Sequence, residues 1–380
     1  MKRLVLFLLF AALLPRVPLA AEPLRDGALK IAAPCAVLME KETGELLYEK
    51  GAHERVFPAS VTKVMTLLLI VEDIESGKLS PDDTVTASAR AASFGGSCVY
   101  LEEGEQMSAD EMLKCIAVVS ANDCAVAMAE HLCGSEEVFV ERMNRRAEEL
   151  GMSETHFSNC TGLFEDDSHY TTAWDVALMS RELIRHELIK RYTTIWMDSI
   201  RGGSFGLNNT NKLVYWYPGC TGLKTGYTSG ALYCLAATAE REGVEYIAVI
   251  MRAESIESRN ADAKALLNYA FANFTLCPLP AEGELPELAV EYGREDTLPL
   301  RIGGGARAIL AAKGGESCAF SYELPEAAAA PIEVGERLGV LVVRRGGEEL
   351  ARLPLEAAEA VGRIGFPGIL SRLAGSLVGL

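Results

Sequence analysis

Apolar positions along this chain recur with two different spacings. From Cys35 to Lys50, in CAVLMEKETGELLYEK, they alternate on either side of Glu42-Thr43-Gly44. A period of two broken by turn residues predicts a β-hairpin. From Ser60 to Ser76 the chain is almost wholly apolar apart from Lys63 and a polar end, and Gly77 follows. That predicts a buried helix closed by glycine. Ser108-Ala109-Asp110-Glu111 has the form of a capping box and opens a helix through Val119. Ser120-Ala121-Asn122 interrupts this run, and Asp123 to Leu132 resumes it. A further helix begins at Ser135 and ends at Gly151, and Thr172 caps one that carries Val176, Leu178, Met179, Leu183 and Ile184.

Strand periodicity returns late. LYCLAATAER and VEYIAVIMRA flank Glu242-Gly243 and predict a second hairpin, followed by a helix from about Arg259 to Phe274. Strands at both ends with helices between predict an α+β fold, in which one antiparallel sheet carries the helices. The composition shifts at CPLPAEGELPE. Beyond it, short alternating segments (Leu298–Ile302, Ala306–Ala311, Arg337–Arg344) are separated by glycines and prolines, which predicts a small β domain. The division expected is a leader over residues 1–21, a main domain over 22–278, a β-rich domain over 279–357 and an amphipathic tail over 358–380.

The leader is read from Lys2 and Arg3, an apolar run from Leu4 to Leu14 too short to span a bilayer, and small residues at Ala20 and Ala21. This is the form of a secretory signal. In the tail, Ile369, Leu370, Leu373, Leu377 and Val378 can share one helical face, with Ser371, Arg372 and Ser376 elsewhere. That predicts a helix lying on a membrane surface. The formal charge is -17, and loss of Lys2, Arg3 and Arg16 with the leader makes the remainder more acidic still. Nucleic acid is therefore excluded as a partner, since phosphate binding needs a basic face. Of the ten cysteines, Cys115, Cys124, Cys133 and Cys234 lie in apolar stretches and read as small core residues. The spacing leaves open whether Cys35, Cys98, Cys160, Cys220, Cys277 or Cys318 pair. No CxxC is present to suggest zinc, and His53, His131, His156, His169 and His186 have no metal-ligand spacing.

Three polar groups interrupt the apolar pattern. Ser60 and Lys63 are three apart at a helix start, so they share a face. Unpaired backbone N–H groups there favour incoming negative charge. A serine so placed can attack a carbonyl if the lysine is neutral, which burial and nearby positive charge would favour. Taken alone, the pair reads more readily as an N-cap and a solvated lysine, because S-x-x-K by itself is common. Ser120 and Asn122 sit at a break between two apolar helices, where they could relay a proton and hold an amide, or simply cap. Lys224-Thr225-Gly226 precedes a predicted strand. It could hold a carboxylate and let a substrate backbone approach, or form an ordinary turn.

In this order the three groups form the set S-x-x-K, S-x-N, K-T-G of the serine penicillin-binding proteins and serine β-lactamases. The chain most closely resembles the D-alanyl-D-alanine carboxypeptidases, the low-molecular-mass penicillin-binding proteins. FPASVTKVMT, GGSCVYLEEGEQMSADEMLKCIAVVSANDCAVAMAEH, GCTGLKTGYT and ESRNADAKALLNYAF carry the resemblance, with Ser-Ala-Asn where many members have Ser-Gly-Asn. It implies a β-lactamase/transpeptidase-like fold and no metal or cofactor. It implies Ser60 as nucleophile, Lys63 as general base and Ser120 as proton link. Asn122, Lys224, Thr225, Gly226 and Arg259 would bind substrate, and the backbone N–H groups of Ser60 and Tyr227 would form the oxyanion hole. The expected substrate is a peptidoglycan stem pentapeptide ending in D-Ala-D-Ala, with β-lactams as acylating inhibitors. The expected place is outside the cytoplasm, at the outer face of the cytoplasmic membrane or in the cell wall or periplasmic space. The alternatives are a serine β-lactamase, although no E-x-x-L-N segment lies between Asn122 and Lys224, and an inactive peptidoglycan-binding protein.

Overall fold

The computed structural model describes residues 29–164 and 166–370. The leader expected over residues 1–21 and the tail residues 371–380 lie outside the described residues. The chain divides into two compact units, one ending at Phe274 and one built from Thr275 onward.

The first unit is organised by one antiparallel sheet. The first hairpin is β1 (Cys35–Glu40) and β2 (Leu46–Lys50). The helices follow: α1 (Lys63–Glu75), α2 (Ala109–Val119), α3 (Asn122–Cys133), α4 (Glu136–Glu149) and α5 (Ala173–Arg185). Ser108, Ser135 and Thr172 cap α2, α4 and α5 with their side-chain oxygens, as their positions before the apolar runs predict. Three strands complete the sheet: β3 (Cys220–Thr228), β4 (Leu232–Arg241) and β5 (Val244–Ala253). The last helix, α6 (Ile256–Asn273), begins three residues before the predicted start because Ser255 caps it.

The strand order is β2-β1-β5-β4-β3, all antiparallel, so the chain's first hairpin joins strands more than two hundred residues later. The sheet is covered on both faces. Ile247, Val249 and Met251 of β5 join Val37 and Met39 in a core with the helices α1 to α5, while Tyr246 packs its ring on Phe271 of α6 on the other side. This is the α+β layout that the sequence pattern predicts. Helix α1 is buried without a break from Lys63 to Val71. An all-round apolar helix belongs in the centre of a domain.

One strand departs from expectation. Lys224-Thr225-Gly226 lies inside β3, not before a strand, and pairs with Ala236, Leu235 and Cys234. Glycine, threonine and lysine have little apolar alternation to offer, so periodicity did not mark it. Strand β3 ends the sheet, so among the described residues one of its edges has no strand partner.

The second unit is β-rich. Its four-stranded sheet contains β6 (Leu300–Ile302), β7 (Cys318–Glu323), β8 (Arg337–Arg345) and β9 (Glu348–Ala357) in the order β6-β9-β8-β7. Its core includes Leu288, Leu300, Leu341, Val343 and Leu355. Cys277 and Cys318 form a disulfide, a pairing that the sequence left open. Cys115, Cys124 and Cys234 are buried free thiols, as read, whereas Cys133 is only half-buried. Residues 366–370 are helical, with Phe366, Ile369 and Leu370 exposed. Among the described residues no helix is long and apolar enough to cross a membrane.

Candidate active site

The chain enters α1 through a tight 3-10 turn, Ala59–Thr62, so Ser60 lies on that turn and Lys63 is the first α-helical residue. Ala59 has φ of 46°, the left-handed region, which costs a non-glycine residue about 1–2 kcal/mol. The kink leaves Ser60 half-exposed while Lys63 is completely buried. Lys63 Nζ donates to Ser60 Oγ at 3.1 Å, to Asn122 Oδ1 at 2.6 Å and to the Thr161 carbonyl at 2.8 Å. None of these partners is anionic. Burial pushes the Lys63 ammonium down from 10.5 to about 7, against the pull of Cys160, Cys98 and Asp123. A neutral amine in hydrogen-bond contact with a serine hydroxyl can take its proton.

Asn122 reaches Lys63 because α2 stops at Val119. Ser120 caps α2 in a left-handed conformation, φ 65°, and Asn122 starts α3. The Asn122 side chain bridges α1 and the loop that carries Gly95. Its Oδ1 accepts from Lys63, and its Nδ2 donates to the Gly95 carbonyl at 2.8 Å. The Asn122 N–H donates to the Ser97 carbonyl at 2.7 Å. Ser120 Oγ is buried and makes no protein hydrogen bond among the described residues. A buried hydroxyl without a partner costs about 1–3 kcal/mol unless something else satisfies it.

Strand β3 supplies the opposite wall. A Cβ placed on Gly226 would lie 3.0 Å from the Pro58 carbonyl and 3.1 Å from Ser60 N. Strand and turn therefore pack closely, and any side chain at this position would have to push the turn back by a few tenths of an ångström. The close packing also sets Tyr227, the next residue of β3, beside the Ser60 turn. Lys224 is buried and donates to the Thr225 carbonyl at 2.9 Å. Thr225 Oγ1 donates to Thr210 Oγ1 at 2.8 Å. Burial, then the Lys63 and Arg259 charges, hold Lys224 well below its ordinary range. Burial also lowers Arg259, whose guanidinium donates to Asn260 Oδ1. Lys63, Lys224 and Arg259 are thus three neighbouring buried basic side chains with no carboxylate ion pair among the described residues. Such a group is costly unless an anion completes it.

Two supports were not legible beforehand. Asn159 Oδ1 accepts from the N–H groups of Thr161 and Gly162, bending the loop so that the Thr161 carbonyl meets Lys63. Gly162, at φ 71°, passes so close that a Cβ would lie 1.8 Å from the Ala59 carbonyl. His169 is the other. Its Nδ1 accepts from the Ser158 N–H, so Nε2 carries the proton and donates to Thr62 Oγ1 at 2.8 Å. Burial lowers it from 6.5 to about 4. It is a neutral strut under the turn, consistent with a core role. The Asn-x-x-Gly of NCTGL, polar between apolar runs, was the available signal for the first support; a lone histidine gave none for the second.

A family profile described as D-alanyl-D-alanine carboxypeptidase matches residues 20–255. The chain is 41% identical to the D-alanyl-D-alanine carboxypeptidase DacF of Bacillus subtilis, over 99% of this chain and 98% of that one. The chain belongs to the D-alanyl-D-alanine carboxypeptidase family. Solved structures of similar proteins agree. Penicillin binding protein 5 from Haemophilus influenzae superposes with a TM-score of 0.78 at 30% identity, covering 88% of this chain and 98% of that one. Penicillin-Binding Protein D2 from Listeria monocytogenes, in its ampicillin-bound form, superposes at 0.59 with 32% identity, covering 64% of this chain and 99% of the other. A member of this carboxypeptidase family is a serine peptidase, and the transpeptidase-like fold expected from the resemblance is the fold observed.

Proposed function

We propose that the chain removes the terminal D-alanine from peptidoglycan stem peptides through an acyl-enzyme on Ser60. One observation carries the reading: a serine hydroxyl 3.1 Å from a fully buried lysine whose proton affinity has fallen to about 7. Ser60 Oγ attacks the carbonyl between the two D-alanines as Lys63 takes its proton. The oxyanion is met by the N–H groups of Ser60 and Tyr227. Ser120, with its uncommitted hydroxyl, passes the proton to the leaving amine. Water then hydrolyses the ester, and Ser60 is restored. Asn122 both anchors Lys63 and faces the substrate amide. Lys224, Thr225 and Arg259 take the terminal carboxylate, with Gly226 allowing the substrate backbone to lie close. A carboxylate beside Lys224 restores its charge, and that charge in turn holds Lys63 neutral. Residues 22–278 form the catalytic domain in this reading, and 279–357 a β-rich accessory domain.

The test is D-alanine release from a pentapeptide ending in D-Ala-D-Ala, with and without a penicillin. Release that the drug blocks supports the reading. Hydrolysis of the drug without release from the peptide would favour the β-lactamase alternative, and neither activity would favour a binding protein. The carboxylate contact has its own prediction. A peptide ending in a C-terminal amide should be turned over at least about tenfold more slowly than the free acid, because it forgoes a charge-assisted contact with a buried cationic group. Equal rates would remove Lys224, Thr225 and Arg259 from that role.

We also propose that the chain is exported and that residues 358–380 hold it to the outer face of the cytoplasmic membrane. Exposed Phe366, Ile369 and Leu370 support this, since an unpaired apolar helical face is suited to an interface. The processed full chain should sediment with lipid vesicles, and a chain ending at Ala357 should stay in the supernatant with its activity intact. Both remaining in the supernatant would rule out the anchor. Loss of activity on shortening would make the segment structural.

A further inference from the structure

Lys63 is held from two sides, and both sides lead to one residue outside the three motifs. On one side is Thr62, its chain neighbour and the last residue of the turn that carries Ser60. On the other is the loop of residues 158–162, whose Thr161 carbonyl accepts from Lys63 Nζ at 2.8 Å. His169 spans the gap between them. Its Nε2–H donates to Thr62 Oγ1 at 2.8 Å, and its Nδ1 accepts from the Ser158 N–H at 3.0 Å. With both nitrogens engaged, the imidazole is fixed in tautomer and orientation. Thr62, Lys63, Thr161 and His169 are all buried.

This clasp is itself braced. The His169 N–H donates to the Asp166 carbonyl at 2.9 Å, and Asp166 Oδ2 accepts from Ser158 Oγ at 2.7 Å. The Phe157 ring lies 5.9 Å from the imidazole, centroid to centroid. Two residues on, Thr171 and Val56 exchange N–H to carbonyl bonds at 2.9 and 3.0 Å, which ties the chain after His169 to the chain entering the turn. The loop also has ties that do not pass through His169. The Cys160 N–H donates to Glu136 Oε1 at 3.0 Å, and Thr66 Oγ1 donates to the Cys160 carbonyl at 2.7 Å. The fold of this region therefore does not depend on the imidazole alone. What the imidazole adds is the fit of loop against turn, where a Cβ on Gly162 would lie 2.5 Å from Thr62 Oγ1.

We propose that His169 is a positioning residue for acylation: by clasping the Thr62 turn to the 158–162 loop, it keeps water from Lys63 Nζ and keeps that amine aimed at Ser60 Oγ. The inference rests on the reading of Lys63 as the base given above. His169 acts through Lys63 and not on the reacting atoms. When the clasp opens, water reaches the amine, desolvation weakens, and the proton affinity of Lys63 climbs back toward its ordinary value of 10.5. The other groups that face Lys63 do not hold it down. Cys160 and Cys98 from two loops and Asp123 from α3 all pull its proton affinity up, so burial is what lowers it. Lys224 of β3 is itself held well below its ordinary range. Asp166, His156 and Lys63 face His169, and burial keeps its imidazole neutral above about pH 4. Its own titration therefore lies below the pH range in which Lys63 changes charge.

The experiment measures the acylation rate constant from about pH 5 to about pH 10 in the full chain and three variants. An uncharged acylating agent keeps the charge of Lys224 out of the comparison. H169Q retains an amide N–H near the place of Nε2 and loses the acceptor at Nδ1, and H169N does the reverse. T62V removes the hydroxyl at nearly constant volume. In each variant the midpoint of the profile should rise by at least about one pH unit, so that the rate at pH 6 falls about tenfold or more. At about pH 10 the rate should return to within about threefold of the wild type, a rescue that a misfolded fraction would not show. H169N and T62V open the same arm, so the double variant should shift no further than the larger single one. T62V reads that arm by itself if melting curves show the imidazole variants unfolded. Midpoints at the wild-type value, or a loss equal at every pH, would overturn the positioning role and leave Lys63 as the base. A wild-type rate independent of pH across this range would overturn the reading of Lys63, and the positioning role with it.

Discussion

Ser60→Ala is expected to abolish D-alanine release and penicillin labelling together. The fall should be on the order of 10⁴-fold or more, because the nucleophile of a concerted site carries nearly the whole effect of that site. The loss should not come from unfolding. Ser60 is half-exposed, and among the described residues its hydroxyl hydrogen-bonds to Lys63 alone. The backbone kink at Ala59 and the Gly226 contact do not depend on the side chain. Digestion of the wild-type protein after treatment with a labelled penicillin should show one added drug mass on the peptide that contains Ser60. Labelling that persists in Ser60→Ala at the wild-type rate would place the nucleophile elsewhere.

Lys63→Arg should lose acylation by about 10²–10⁴-fold, the range for removing a general base. Arginine keeps the positive charge but cannot give up its proton at accessible pH. It must also fit a planar fork where the Lys63 Nζ now meets Ser60, Asn122 and Thr161 at 2.6–3.1 Å. Circular dichroism and thermal melting would separate misfolding from a lost base. The wild-type protein supplies the complementary test. Burial has lowered the affinity of Lys63 for its proton to about 7, so the reactive neutral form predominates above that pH. Below it, the acylation rate constant should fall about tenfold per pH unit as the amine is protonated. A rate independent of pH between 5 and 8 would show that Lys63 is not the base. The profile should be measured with an uncharged acylating agent as well as with a penicillin, since protonation of Lys224 can strengthen binding of a carboxylate while protonation of Lys63 slows the chemistry.

The periodic elements were decided locally. The first and last hairpins alternate around Gly44 and Gly243, α1 is apolar throughout, and Ser108, Ser135 and Thr172 stand where caps belong. Each signal lies within about a dozen residues, so the sequence by itself determined these elements and the α+β class. The order of the three motifs likewise carried the family without any coordinates.

What the sequence alone could not determine was which atoms meet. Lys63 is three residues from Ser60, but its two shortest contacts come from 59 and 98 residues away. They exist because α2 breaks at Ser120 and because Asn159 folds a loop under Gly162. Strand β3 was invisible to periodicity because Lys224, Thr225 and Gly226 were chosen for contact and not for burial pattern; pairing with β4 makes them a strand. The depressed proton affinity of Lys63 is wholly a tertiary effect, since no sequence spacing states how much water the fold removes from an amine. Arg55 and Arg252 show the same limit. Nearly two hundred residues apart, they line one cavity because the bridge of Val56 with Thr171 fixes the loop that carries Arg55 and a bulge in β5 carries Arg252.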